Sequence, residues 1–281
     1  MATVIVTDSG SDLTRDEAQR LGIEIIPVWI IFGEERFRDG VDIDRATFFA
    51  RMAKGENPRT EPATPEQFRE MFAKITGAGN EAVMITLSGQ ISKSFELAST
   101  VAKEFGGKVA VVDSRGASGM ETLLAYYGLE QAKAGASAAD IAKKIDPRAL
   151  KYAIYFAVPD VSMLARSGRL PKAVAALGSM LNVSLVLKMN EQGAIGPAGQ
   201  SFSFDKTCEI MVDAVVRTIE RSPSVRVAIG HIQAAEGAEK LRKQLEMKLG
   251  HPPAQETVHE GTLTVAAHMG SGAIGIFAIV P

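Results

Sequence analysis

One local pattern is written three times in this chain, and it restricts the fold more than any other feature. Val4-Ile5-Val6 ends in Thr7-Asp8-Ser9-Gly10-Ser11-Asp12 and runs into an amphipathic stretch over 13–21. A β-rich run over 81–87 meets a polar turn over 88–92 and then a helical pattern over 94–105. The run over 108–112 meets a polar turn over 113–119 and a helical pattern over 120–135. Strand, polar turn and helix in repetition is the rhythm of a parallel sheet covered by helices. The C-terminal ends of such strands gather polar loops along one edge, where ligands bind.

The rest of the chain extends this reading. Residues 23–32 read as a further strand and 44–54 as a helix that Asp44 caps. Segment 55–65 carries Pro58, Pro62 and Pro65 and is predicted to be a loop. Thr64 caps the helix that follows, with Pro65 at its first position. A helix over 138–146 is broken by Pro147, and a strand restarts over 152–158, so a boundary falls near 150. At 281 residues, the length also suggests two domains, at roughly 150 residues each. The expected organisation is an α/β domain over 1–150 with a mostly parallel sheet, and a second α/β domain over 151–281 with a mixed sheet and helices.

In the second half, 161–181 is largely helical with a break at Ser167-Gly168-Arg169. Strands are expected over 183–187, 225–231, 263–267 and 273–280, helices over 204–221 and 236–249, and a turn over 193–196. The apolar run over 262–281 is interrupted by glycines, Ser271 and His268. Two buried strands around a glycine loop fit it better than a membrane span.

With 31 basic against 33 acidic side chains and a pI near 6.1, the chain has no overall attraction to nucleic acid or anionic membrane, and no local basic patch stands out. A single cysteine, Cys208, allows neither an internal disulfide nor a cysteine metal cluster, and reads as a small buried apolar residue. The first residues turn acidic and polar within eight positions, unlike a secretory signal, so a cytoplasmic location is expected.

The four histidines form no metal-ligand spacing, and neither a metal nor a cofactor is expected. His251 and His259 lie in polar segments and read as solvated. His231 ends a strand, and His268 sits between a strand and a glycine loop, where an imidazole can reach a ligand. Gly270-Ser271-Gly272-Ala273-Ile274-Gly275 fits a dinucleotide-binding pattern, but too few residues follow it for the helix and strand such a site needs. Gly116-Ala117-Ser118-Gly119-Met120 falls one glycine short of a nucleophile elbow, and a Ser/His esterase built on it would require His231 or His268. Ser88, Ser92, Ser94 and Ser99 crowd one strand-to-helix junction, as caps or as an anion site.

Six of these stretches, in this order, resemble the DegV family almost end to end. Val6-Thr7-Asp8-Ser9-Gly10-Ser11-Asp12-Leu13 is similar to its first loop. Arg59-Thr60-Glu61-Pro62-Ala63-Thr64-Pro65 resembles K-T-S-Q-P-S-P, and Leu87-Ser88-Gly89-Gln90-Ile91-Ser92-Lys93-Ser94-Phe95 resembles I-S-S-x-L-S-G-T-Y. Val112-Asp113-Ser114, with Ala117-Ser118 and Gly119, is similar to the third loop. Leu164-Ala165-Arg166-Ser167-Gly168-Arg169-Leu170 resembles L-x-x-G-G-R-[IL], and the stretch from His268 to Gly275 resembles H-x-G-P-G-A-[LI]-G.

The resemblance implies a carrier with no chemistry of its own. It would enclose one long-chain fatty acid, such as palmitate, between two domains and hand the carboxylate to a separate ATP-dependent fatty acid kinase. Carried over by position, Thr60 and Ser92 give hydroxyl hydrogen bonds to the carboxylate, the Lys93 N–H adds a backbone donor, and His268 orients Thr60 or the head group. Arg169 matches the arginine of the kinase-facing surface. Glu61 stands where the family has serine, and an ionised side chain there repels a carboxylate unless it pairs or points away. Lys93 and Ser167 replace glycines, and Ser271 replaces a proline. Ala173, Ala176, Leu177 and Met180, spaced along one helical face after Arg169, are the expected tunnel wall. Outside the carrier class, a Ser/His esterase or a sensor of a non-lipid small molecule on the same scaffold are the alternatives.

Overall fold

The three strand–turn–helix units do form one parallel sheet. The computed structural model describes residues 2–171, 174 and 184–281. The first part of the chain runs through β1 (Thr3–Asp8), α1 (Arg15–Leu21), β2 (Glu24–Ile26), β3 (Trp29–Phe32), β4 (Glu35–Arg38) and α2 (Arg45–Ala53). β5 (Arg59–Glu61), α3 (Pro65–Gly77), β6 (Glu81–Thr86), α4 (Ser94–Ala102), β7 (Val109–Asp113), α5 (Gly119–Lys133) and α6 (Ala138–Ile145) follow. The sheet order is β2-β1-β6-β7, with each neighbouring pair parallel. Local chemistry fixes the helix starts. Asp44 accepts from the Thr47 N–H, and Thr64 with Gln67 makes a capping box over Pro65,.

The second part runs through β8 (Lys151–Val158), α7 (Ser162–Arg166), β9 (Ser184–Met189), β10 (Ile195–Ser201), α8 (Phe204–Ile219) and β11 (Arg226–His231). It ends with α9 (Ala235–Leu249), β12 (Gln255–Glu260), α10 (Leu263–Met269) and β13 (Ile274–Val280). These strands form a six-stranded mixed sheet in the order β10-β9-β8-β13-β11-β12, in which only β11 and β12 run parallel.

Three expectations are corrected. The single strand expected over 23–32 is two strands in different sheets, split at Pro27, because proline has no N–H to give a ladder. β3 leaves the parallel sheet and pairs antiparallel with β4 and β5 in a small sheet of its own. The strand expected over 263–267 is helix α10, so the glycine segment joins a helix to a strand rather than two strands. The segment 55–65 predicted to be a loop contains strand β5, whose place is fixed by pairing with β3, and β4, β10 and β12 form outside the expected strands.

Helix α5 sits between the two large sheets. Residues 119–125 are buried without a break, the signature of a helix covered on all sides. On one side it packs on β1, on the other on β11 and β13. Gly119 makes the second contact possible: a Cβ there would stand 2.5 Å from Phe277 Cδ2 and 2.8 Å from Ala228 Cβ. Ile5, Met120, Leu123, Leu124, Ile154 and Phe277 belong to one continuous core.

The polar loop edge of the parallel sheet therefore faces the six-stranded sheet. Hydrogen bonds stitch the seam. The Thr262 hydroxyl donates to Ser9 O at 2.6 Å, the Thr264 hydroxyl donates to Asp39 at 2.6 Å, and the Ser88 hydroxyl donates to Gly193 O at 2.7 Å.

Candidate functional site

Along that seam lies a cavity of about 410 Å³, within the range of small-molecule sites. Its walls are mostly apolar, with Ile154, Phe156, Leu164, Met189, Ile195 and Phe277 among them. Thr60, Ser92, Lys93, Arg169 and His268 also line it.

Thr60 and His268, 208 positions apart in sequence, are brought into contact. Thr60 is the middle residue of β5 and pairs with Ile30 of β3, so strand register sets its place. His268 lies in the last turn of α10, which packs against β3 and β5 and is ended by Gly270 at φ +70°. Thr60 Oγ1 is 2.8 Å from His268 Nε2. Burial, with Arg169 adding its positive charge, pushes the His268 imidazole down to about 4, so the ring is neutral at physiological pH. Its Nδ1 is enclosed and has no partner among the described residues. When Nε2 accepts from Thr60, Nδ1 carries the ring proton and is a buried donor awaiting an acceptor.

The loop between β6 and α4 supplies the next groups. Ser92 Oγ accepts from the Ser94 N–H at 3.2 Å and lies 3.1 Å from Ser94 Oγ, so this serine caps the helix as well as lining the cavity. Lys93 is the N-cap residue, but its side chain is exposed and makes no capping bond. Its N–H takes no backbone partner among the described residues. A free amide at a helix start favours an anion. Arg169 ties this loop to the end of α7: its Nε donates to Ile91 O at 3.2 Å and its Nη1 to Ser167 O at 2.6 Å.

Three of the four residues that depart from the family pattern, Glu61, Ser167 and Ser271, have local partners. Glu61 pairs with Arg36 at 2.9 Å, with both side chains about half exposed. Arg36 in turn stacks over Trp29. Neighbours on a strand point to opposite faces, so Glu61 points away from the cavity that Thr60 enters. Ser271 donates to Gln233, and Ser167 donates to Leu164 O. Ala173, Ala176, Leu177 and Met180 lie outside the described residues.

A cluster of buried carboxyls behind the cavity wall was not singled out from sequence. Asp8 accepts from the Gly10 and Leu87 N–H groups, which fixes the β1 and β6 loops to each other. Burial raises Asp8, pushes Asp12 up to about 7, and lifts Glu121 well above the carboxylate range with help from the charge of Asp8. Asp12 takes the Ser118 hydroxyl at 2.5 Å. Ser118 does sit at a strained strand-to-helix turn, φ 59° and ψ −132°. The group on its hydroxyl, however, is a carboxyl that holds its proton near neutrality, whereas an esterase of the Ser/His type needs an imidazole there.

His251, His259 and Cys208 do not line the cavity. His259, expected to be solvated, is largely buried beside Glu17 at 3.7 Å, because β12 lays it against α1 and Tyr126. His251 hydrogen-bonds to Pro252 O and Arg221 O. Cys208 is fully buried, and burial pushes its thiol up to about 12. Among the described residues, no helix is long and apolar enough to cross a membrane, and no three His, Cys, Asp or Glu side chains are grouped to hold a metal ion.

Comparison with known proteins gives a consistent result over the whole chain. The DegV domain-containing protein of Deinococcus radiodurans is 28% identical over 278 residues, covering 98% of each chain. Among solved structures, a fatty-acid-binding DegV family protein from Thermus thermophilus superposes with a TM-score of 0.91 at 26% identity, covering 100% of both chains. A stearic acid-binding protein from Eubacterium ventriosum gives a TM-score of 0.87 at 25% identity, covering 98% of this chain and 97% of its own. The family model described as "Uncharacterised protein, DegV family" matches residues 2–280, and the chain belongs to that family.

Proposed function

We propose that this protein binds one long-chain fatty acid in the cavity along the seam and presents its carboxylate to a separate ATP-dependent fatty acid kinase in the cytoplasm. In this reading residues 1–150 contribute most of the head-group loops, and residues 151–281 contribute His268, Arg169 and much of the tail wall. The carboxylate accepts from the Thr60 and Ser92 hydroxyls and the Lys93 N–H, while His268 donates its Nε2–H to Thr60 Oγ1 and so leaves the Thr60 proton for the carboxylate,. The observation that carries the reading is the 2.8 Å contact between Thr60 and a neutral, enclosed His268 at the polar part of an otherwise apolar cavity. The fatty-acid-binding relatives from Thermus thermophilus and Eubacterium ventriosum support it.

The energetics divide the work. Burying an alkyl tail is worth about 0.8 kcal/mol per CH₂, so roughly fifteen methylenes give ~12 kcal/mol before the costs of association. Each charge-assisted hydrogen bond to the head adds about 1.5–3 kcal/mol. The tail supplies affinity, and the head supplies orientation. Arg169 remains the proposed kinase-facing residue, since part of its side chain reaches the surface beside the head-group loop.

The test is reconstitution. Delipidated protein is mixed with palmitate, ATP and a bacterial fatty acid kinase, and acyl phosphate is trapped as the hydroxamate. Product that depends on this protein and falls in the Arg169→Ala variant is the expected result. Failure of the protein to bind palmitate at all would overturn the proposal.

A further inference from the structure

Helix α10 carries His268 in its last turn and has no cap of its own at the other end. Thr262 holds the N-cap position, but its side chain makes no capping bond and gives its hydroxyl to Ser9 O across the seam. The first turn is satisfied from another element instead. Asp39, the residue after β4, accepts the Thr264 N–H at 2.9 Å and the Thr264 hydroxyl at 2.6 Å, both at Oδ2. With its proton given to Asp39, Thr264 Oγ1 accepts from the Ser9 hydroxyl at 3.1 Å, and Ser9 Oγ accepts the Val28 N–H at 3.0 Å,. Ser9, Asp39 and Thr264 are all buried.

Asp39 and Thr60 grip one face of α10. Thr264 and His268 are four residues apart, about one helical turn, and so stand on the same side of the helix. On the opposing sheet, the Asp39 N–H donates to Val28 O at 3.0 Å, and Thr60 pairs with Ile30. Val28 and Ile30 are two positions apart, which puts their cross-strand neighbours on one face of the sheet. The helix is thus held at two points: Asp39 on Thr264, and Thr60 on His268 at 2.8 Å. A helix of seven residues is marginal by itself, and a hydrogen bond weakens steeply once its geometry slips. The Thr60 contact therefore depends on the Asp39 contact one turn away.

We infer that Asp39 is a positioning residue for the head-group site: by capping α10 across the seam it fixes His268 against Thr60, and with that the preference for a free carboxylate. Asp39 itself does not line the cavity. This rests on the fatty-acid reading above and deepens it.

Delipidated protein titrated with palmitate and methyl palmitate, by displacement of a fluorescent fatty acid, tests the inference. The readout is the ratio of the two dissociation constants, ester over acid. A cap that only stabilises the fold lowers the Tm and affects both ligands alike, so the ratio stays. Asp39→Ala should lower the ratio about tenfold or more, the equivalent of one charge-assisted hydrogen bond. Thr264→Val removes the hydroxyl bond to Asp39 but keeps the backbone one, and should lower the ratio about threefold or more; it decides the matter if Asp39→Ala does not fold. Because Asp39 acts through the Thr60 contact, adding Asp39→Ala or Thr264→Val to Thr60→Val should lower the ratio less than about twofold further. A ratio that stays within about twofold of the unmodified protein in the folded single variants, or losses that add in full to that of Thr60→Val, would overturn the inference. Unmodified protein that binds palmitate no tighter than its methyl ester takes down the head-group reading itself. A high ratio that the Asp39 and Thr264 variants leave intact removes only the role of Asp39.

Discussion

Thr60→Val isolates the head group from the tail, because valine keeps the shape of threonine and removes only its hydroxyl. The hydroxyl lies 2.8 Å from His268 Nε2. The variant leaves both ring nitrogens of His268 without partners, since Nδ1 already has none among the described residues. A buried polar group stripped of its partner costs about 1–3 kcal/mol, so the variant should melt at a lower Tm. In the complex, one charge-assisted hydrogen bond is lost, about 1.5–3 kcal/mol, or a weakening of palmitate by about 10- to 100-fold. The tail still contributes ~12 kcal/mol gross, so binding persists. Displacement of a fluorescent fatty acid from delipidated protein measures this, with methyl palmitate as the control that has the tail but no carboxylate. Methyl palmitate should change by less than about threefold, because it forfeits no charge-assisted bond. Palmitate affinity within about twofold of the unmodified protein would refute the assignment, being far below the loss of one such bond. So would equal losses for palmitate and its methyl ester.

Two further outcomes follow from the cavity wall and the buried carboxyls. Ile195 starts edge strand β10 and lines the cavity while being 7% exposed; Ile195→Trp displaces about five methylenes of tail, ~4 kcal/mol or near a thousandfold for palmitate, and should shift preference toward shorter acids. An unchanged chain-length profile in a titration series with a native circular dichroism spectrum would contradict the placement of the tail. Asp12 has its folded pKa raised from an ordinary 3.8 to about 7, so the folded protein keeps a proton that the unfolded chain has lost. Its contribution to stability is complete below pH 3.8 and is lost as the pH rises through 7, up to about 4 kcal/mol. Asp12→Asn removes that titration, so its stability relative to the unmodified protein should climb between pH 4 and pH 8 in urea denaturation. A difference that does not vary with pH would refute the buried, protonated state of Asp12.

What could be read from the sequence follows from which strands bury apolar side chains. β1, β6, β7, β8 and β13 carry apolar runs such as Val4-Ile5-Val6 and Ile274 to Val280, the last buried almost throughout, and a hydrophobic pattern finds them. β4, β5, β10 and β12 lie at sheet edges and read Glu-Arg-Phe-Arg, Arg-Thr-Glu, Ile-Gly-Pro-Ala-Gly-Gln-Ser and Gln-Glu-Thr-Val-His-Glu. An edge strand need bury little, and β10 even accommodates Pro197 at a bulge,. Leu263-Thr264-Val265-Ala266-Ala267 has β-branched residues and a short apolar run, which do not separate strand from helix. Its packing against β3 and β5 decides for helix, and this sets the direction of His268.

The candidate site divides the same way. Strand–turn–helix rhythm places the Ser88 to Lys93 loop at a ligand edge, but nothing local links Thr60 to a histidine 208 positions later; only the family resemblance joined them. The pairing of Glu61 with Arg36 depends on the register of β3 against β4 and β5, and so on tertiary structure. The left-handed backbone of Ser118 is likewise set by the packing of α5, since a serine at that position gives no local sign of it.

The central claim is that the cavity holds a long-chain fatty acid by its carboxylate and tail. Protein expressed in a bacterial host and purified without added lipid can be denatured, extracted with organic solvent and analysed by mass spectrometry. The expected result is one long-chain fatty acid per protein molecule. Protein that yields no fatty acid, and that also fails to take up palmitate or oleate after delipidation, would contradict the claim.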